Sequence, residues 1–297
     1  MGSTHRPFAA AVWMTGAIAA FTAMAVATRE IKGAHDTFEI LGYRSIVGLA
    51  LVLSVGALTG QLGRIRRDRL GGHALRNLCH FTGQSLWFWA VTMIPLAQVF
   101  ALEFTSPIWV ILLSPLVLGE NLTRRKLIAV GLGFAGVLIV VRPDFGNVEP
   151  GVLAAAGSAI FFATTTLLTK RLTRDEPVIG ILFWLTLMQI GLGFGMAQTT
   201  GGISLPTAAT LPWLGLIGLA GVTAHLCLTT ALTLAPASQV VPVDFARLPV
   251  IAVVGAVFYA EPLDKWLFLG AGLILAGILL SFRIATNRQQ PENVMKS

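Results

Sequence analysis

The chain has 297 residues, of which 55% are hydrophobic and only 12% are charged, and its mean hydropathy is +0.77. A soluble domain carries about 25% charged residues, and much of any globule must face water, so this composition excludes a water-soluble globular protein. The net charge of +7 does not point to nucleic acid, because the basic residues sit in short runs between apolar stretches, as at the cytoplasmic flanks of membrane helices.

Apolar segments near the length that spans a bilayer, about 20 residues, recur at 8–28, 38–59, 74–94, 96–118, 125–141, 150–169, 178–197, 211–234, 237–259 and 265–283. The expected fold class is therefore an all-α membrane protein of ten transmembrane helices. Short connections make neighbouring helices antiparallel, and the alternating strands of a membrane barrel are absent. The first helix lacks a small-residue cleavage site and reads as a retained span. Placed with the N-terminus inside, fifteen Lys and Arg fall on the cytoplasmic side and four outside, with Arg44 and Arg247 inside spans. That bias predicts that both termini are cytoplasmic.

Several polar residues interrupt the spans. Arg44 on the second helix lies five residues from Glu39, off its helical face, and is expected to snorkel to the outer interface. On the third helix His80, Gln84 and Trp87 share one face at i, i+4 and i+7, which reads either as a cavity wall or as interhelical hydrogen bonding. The fourth helix opens at Pro95, with Gln98 one turn on and Glu103 roughly 12 Å deep at 1.5 Å per residue. The ninth opens at Pro236, with Gln239, Asp244 and Arg247 following. Asp244 has Arg247 on its own face, three residues on, and is either a self-contained ion pair or part of a cavity. Glu103 has Ser106 in the corresponding place and no local cation, so it is expected to respond to pH more than Asp244. Acids near the midplane are functional candidates.

Gln98 and Gln239, with the two prolines, either gate the structure or brace the helix ends. Glu120 and Glu261 are expected to serve the turns they occupy. His225 on the eighth helix offers a group like that of Gln84. Phe21, Phe162, Trp87, Trp89 and Phe245 either meet apolar parts of a substrate or pack against helices and lipid. The pairs Gly56–Gly60 and Gly191–Gly195 read as helix packing. Cys79 and Cys227 lack metal-ligand spacing, and neither a metal nor a cofactor is expected.

A shift of 141 residues superposes the chain on itself without gaps. Pro95-Leu-Ala-Gln-Val-Phe-Ala-Leu-Glu-Phe104 falls on Pro236-Ala-Ser-Gln-Val-Val-Pro-Val-Asp-Phe245. Glu120 falls on Glu261, Thr123 on Asp264, and Gly131, Ala135 and Gly136 on Gly272, Ala276 and Gly277. In the first helices Gly16, Phe21 and Thr28 fall on Gly157, Phe162 and Thr169. Five helices per half is an odd number, so residues 1–145 and 146–297 are expected to be two inverted five-helix repeats. Carriers built this way hold substrate near the midplane, between the halves.

The stretches from Pro95 to Glu120 and on to Arg142-Pro143, and from Pro236 to Glu261 and on through the tenth helix, resemble the EamA-type branch of the drug/metabolite transporter superfamily. The resemblance covers nearly the whole chain. It implies a bacterial inner-membrane secondary transporter, similar to the amino-acid exporters of that branch. It also implies a central cavity among helices 1, 3, 4, 6, 8 and 9. The expected partners are a small-molecule substrate, an amino acid or similar metabolite, and the lipid bilayer, without nucleic acid; a monomer is compatible with the sequence, which does not fix the oligomeric state. The alternatives are an exporter of drug-like organic cations, a channel, or an intramembrane enzyme. No His-Glu-x-x-His, Gly-x-Gly-Asp, P-loop or Gly-x-Ser-x-Gly motif supports an enzyme or an ATP-driven pump.

Overall fold

A computed structural model describes residues 7–118, 124–141, 149–172, 175–234, 243–244, 246–261 and 265–277. Among these residues the chain is helical, with one isolated bridge between Lys32 and His35. The helices are α1 (Pro7–Glu30), α2 (Thr37–Leu58), α3 (Leu70–Met93), α4 (Leu96–Glu103), α5 (Ser106–Leu118), α6 (Arg124–Val141), α7 (Pro150–Leu172), α8 (Val178–Thr200), α9 (Leu211–Leu234), α10 (Arg247–Tyr259) and α11 (Lys265–Gly277). Among the described residues six stretches are long and apolar enough to cross a membrane: Phe8–Glu30, Thr37–Leu58, Leu96–Leu113, Pro150–Thr169, Val178–Thr200 and Leu211–Leu228. Val250–Tyr259 and Lys265–Gly277 are shorter apolar helices.

Local chemistry explains the ends. Asp36 caps α2 with a reciprocal capping box: its carboxylate accepts from the Phe38 and Glu39 amides, and Glu39 Oε2 accepts from the Asp36 amide at 2.9 Å. The Glu39 carboxylate also takes the amide and hydroxyl of Ser204, tying the α8–α9 connection to the start of α2.

The segment 96–118, expected as one helix, is two. α4 stops at Glu103, and α5 begins at Ser106. Pro107 has no N–H to offer the carbonyl of Glu103, which a continuous helix would require. Thr105 turns back instead, its amide and hydroxyl both donating to the Leu102 carbonyl, at 3.0 and 2.7 Å. The ninth segment breaks at the repeat-related place. Residues 243–244 are helical, Ala246 lies in a turn with its amide on Val243 O at 3.1 Å, and α10 starts at Arg247, two residues before Pro249.

The main packing pairs are α1 with α9, α3 with α7 and α2 with α8, while α4 meets α10. Exchanging corresponding helices of the two halves turns the first pair into the second and returns the third, α2 with α8, to itself. The backbones of α2 and α8 approach closely. A Cβ on Gly193 would stand 2.7 Å from the Gly42 amide nitrogen and 3.0 Å from the Phe38 carbonyl. Gly191 and Gly195, expected as the packing pair, have nothing within 4 Å, nor does Gly60, which holds a positive φ of 65° at the end of α2. Gly56 does pack, on Leu62 and Ile179.

Candidate functional site: the cavity at two helix breaks

Each break delivers one acid to the space between the halves, Glu103 at the end of α4 and Asp244 just before α10. Arg247 joins them, its Nη2 donating to Asp244 Oδ2 at 2.8 Å and to Glu103 Oε1 at 3.2 Å. The second Glu103 oxygen accepts from Trp87 Nε1 at 2.7 Å. Phe21, Phe100 and Phe104 surround the guanidinium, with ring centroids 4.6, 5.0 and 4.9 Å from Cζ. Such faces favour a desolvated cation. Two carboxylates thus share one guanidinium. Asp244 Oδ1 and Arg247 Nε are buried, with no hydrogen-bond partner among the described residues.

Phe21 leads from this cluster to a second. Its ring meets His225 edge-on at 5.8 Å, His225 lies 5.8 Å from His80, and His80 lies 5.9 Å from Phe162. Gln84 sits beside them. In the amide orientation that matches donors to acceptors, its oxygen takes Arg44 Nη2 at 3.1 Å and His80 Nε2 at 3.2 Å, while its nitrogen donates to Gln189 Oε1 at 2.7 Å. Arg44 also lies over the Phe88 ring at 5.6 Å. Further along α3, Arg76 is buried on Thr169 and Asn77, at 3.1 and 2.9 Å.

One end of the interface between the halves is closed. Arg29, at the end of α1, pairs with Glu261, just beyond α10, and donates to the carbonyls of Val91 and Ile94 at the end of α3. Glu261 also accepts the Leu96 amide at 3.2 and 3.0 Å, which caps the first turn of α4. A wider vestibule of about 410 Å³ lies against this clasp, bordered by Lys32, Pro95 and Tyr259. Among the described residues no group of three or more His, Cys, Asp or Glu is placed to hold a metal ion.

Discontinuous helices that meet between two halves recur in secondary transporters. The family profile of EamA-like transporters matches the chain twice, over residues 8–142 and 149–283, and these two matches start 141 residues apart. The chain belongs to the EamA-like transporter family.

This EamA-like chain is 29% identical to a riboflavin transporter of Rhizobium johnstonii, over 96% of the chain and 94% of the relative. A riboflavin transporter of Vibrio cholerae is 27% identical, over 98% of the chain and 99% of the relative. An S-adenosylmethionine uptake transporter of Rickettsia bellii is 24% identical, over 90% of the chain and 91% of the relative. A crystal structure at 20% identity superposes with a TM-score of 0.66, covering 95% of this chain and 98% of that one, and shows the same fold.

In this transporter the structure places Trp87, Glu103, Asp244, Arg247 and Phe21 in one cluster and His80, Gln84, His225 and Phe162 in a second that Phe21 joins to the first. Pro95 caps α4, and Gln98 is half-buried on that helix's first turn. Pro236, Gln239, Phe245 and Glu120 lie outside the described residues.

Three expectations are corrected. Arg44 does not snorkel; it is buried and turned to Gln84, because α9 offers Gly221 there and leaves room for the guanidinium. Glu103 does not lack a cation, since Arg247 supplies one from the other half. Arg76, counted among the cytoplasmic flanks, points inward.

Sequence reasoning missed Gln189, which is fully buried, and the partnership of Arg29 with Glu261. An amide at the middle of α8, far from either end of an apolar span, was a usable signal for the first. The second had none, because 232 residues separate the partners.

Proposed function

We propose that this EamA-like protein is a secondary carrier that moves small metabolites combining a flat ring system with a polar tail across the bacterial inner membrane, by alternating access. The observation that carries this reading is the side-chain composition of the interface between the halves. Its aromatic side chains, Trp87, Phe21, Phe88 and Phe162, stand between two polar clusters, at Arg247 and at Arg44. Rings stack or sit edge-on against such walls, and hydrogen-bonding groups at both ends orient the rest of the molecule. Riboflavin and S-adenosylmethionine, the cargoes in the relatives' names, both fit this description.

An amino acid remains the second reading. Two carboxylates at one end of the cavity and a guanidinium at the other suit an ammonium and a carboxylate on one molecule.

The Arg29–Glu261 clasp supports a state closed on the outer side, given ten crossings, inverted halves and cytoplasmic termini. The 141-residue repeat carries Arg29 and Glu261 onto Lys170 and Glu120, so the sequence supplies a cation and an acid at the opposite face too. Two alternative clasps, one per face, give the two openings that alternating access requires. With no nucleotide-binding motif, the driving force is a gradient, which also sets import or export.

The test is flux into liposomes holding the purified protein, with riboflavin, S-adenosylmethionine, tryptophan and an aliphatic amino acid as cargoes. Saturable counterflow of at least one ring-bearing cargo is expected. Conductive, unsaturated flux would mean a channel, and preference for the aliphatic amino acid would favour the second reading.

A further inference from the structure

Arg247 is held by two carboxylates, whereas Arg44 has none. Its side chain is buried within a span, yet no acid among the described residues stands within ion-pair distance. Its partner is a neutral amide oxygen, that of Gln84. Arg76 is likewise buried on neutral groups, and both arginines lie in the electrostatic surroundings of His80 and His225. Removing a guanidinium from water without a counter-ion costs several kcal/mol, and a charge kept at that depth marks a functional site.

The surroundings of Arg44 are built to receive something. A cavity of about 20 Å³ lies against it, lined also by Ser45, Thr186, Gln189 and His225. That is the space of one water or one ligand oxygen, bordered by hydroxyl and amide groups. Glycine keeps it open, since a Cβ on Gly221 would stand 3.1 Å from Arg44 Nη2.

We propose that Arg44 forms an oxyanion subsite of the cavity, which seats a carboxylate or phosphate on the polar tail of the cargo. This rests on the reading of the cavity as the cargo cavity. It narrows the cargo class: a ring-bearing metabolite with an anionic tail is preferred over its neutral counterpart. Arg247 cannot take this role, because its two carboxylates already outnumber it and would repel a second anion.

The test reads binding without flux, by quenching of tryptophan fluorescence in purified protein in detergent. The probes are two matched pairs, riboflavin with riboflavin 5′-phosphate and indole-3-propionamide with indole-3-propionate. In the wild type the anionic member of a pair is expected to bind about tenfold tighter, the worth of one charge-assisted hydrogen bond. Arg44→Gln should bring the ratio near unity by weakening the anionic member more than the neutral one, and Arg69→Gln, at an exposed surface pair with Asp175, should leave it unchanged. Gly221→Ala keeps the charge but crowds the guanidinium, and should shrink the ratio even if Arg44→Gln fails to fold.

Equal binding of both members to the wild type, or a preference surviving Arg44→Gln or Gly221→Ala, would overturn the subsite alone. Failure of all four probes to bind would instead remove the ring-and-tail reading on which the subsite rests.

Discussion

Arg247 reaches Glu103 across 144 residues of chain, Nη2 to Oε1 at 3.2 Å, and so fastens the break in one half of the protein to the break in the other. The same nitrogen holds Asp244 at 2.8 Å. The joint is therefore one cluster contributed by both repeats.

Removing its cation leaves two half-buried acids facing each other. Arg247→Gln should lower folded stability by about 3–5 kcal/mol, the cost of breaking a buried ion pair. Thermal melting in detergent would show it. Adding Glu103→Gln and Asp244→Asn to the same chain should recover most of that loss, because no uncompensated charge then remains.

Glu103→Gln and Asp244→Asn should resemble each other. Each leaves Arg247 with one carboxylate, so their initial transport rates at matched expression should agree within about threefold, or ~0.65 kcal/mol. A much larger effect of Glu103→Gln on the pH profile would support the expectation drawn from sequence, in which only Asp244 has a cation.

Trp87 supplies a hydrogen bond as well as a ring. Trp87→Phe keeps the aromatic wall but leaves Glu103 Oε2 without its 2.7 Å donor. A loss of about 1.5–3 kcal/mol is expected for a bond to a charged group, measurable as a lower melting temperature or weaker cargo binding.

The outer clasp should control access. In a chain whose two cysteines, Cys79 and Cys227, are replaced, Met93→Cys lies beside the vestibule and is half exposed. Adding Glu261→Gln should raise its labelling by an impermeant maleimide about tenfold, the equivalent of 1.4 kcal/mol. Unchanged labelling would make the clasp a static brace.

The crossing of α2 and α8 should tolerate no side chain. Gly193→Ala drives a methyl into the Gly42 backbone, and overpacking of this kind costs about 1–3 kcal/mol. Gly191→Ala, where space is open, should be neutral in the same melting assay.

Much of this molecule was written in its sequence. Composition and apolar spacing decide the medium, because each span must bury its own backbone polar groups and present apolar side chains to lipid. The 141-residue repeat is visible because paired prolines, amides and acids align rarely by chance, and the helix 3 stripe of His80, Gln84 and Trp87 follows from the 3.6-residue turn. The partners of those residues are not legible, since helical periodicity gives a residue's face but not what another helix sets against it. Arg44 reads as an interfacial residue until α9 is seen to present Gly221 to it. Glu103 reads as an acid without a cation until the second half folds against the first and Arg247 arrives. Ion pairing depends on a few ångströms across a helix interface, and those distances exist only once both halves are packed.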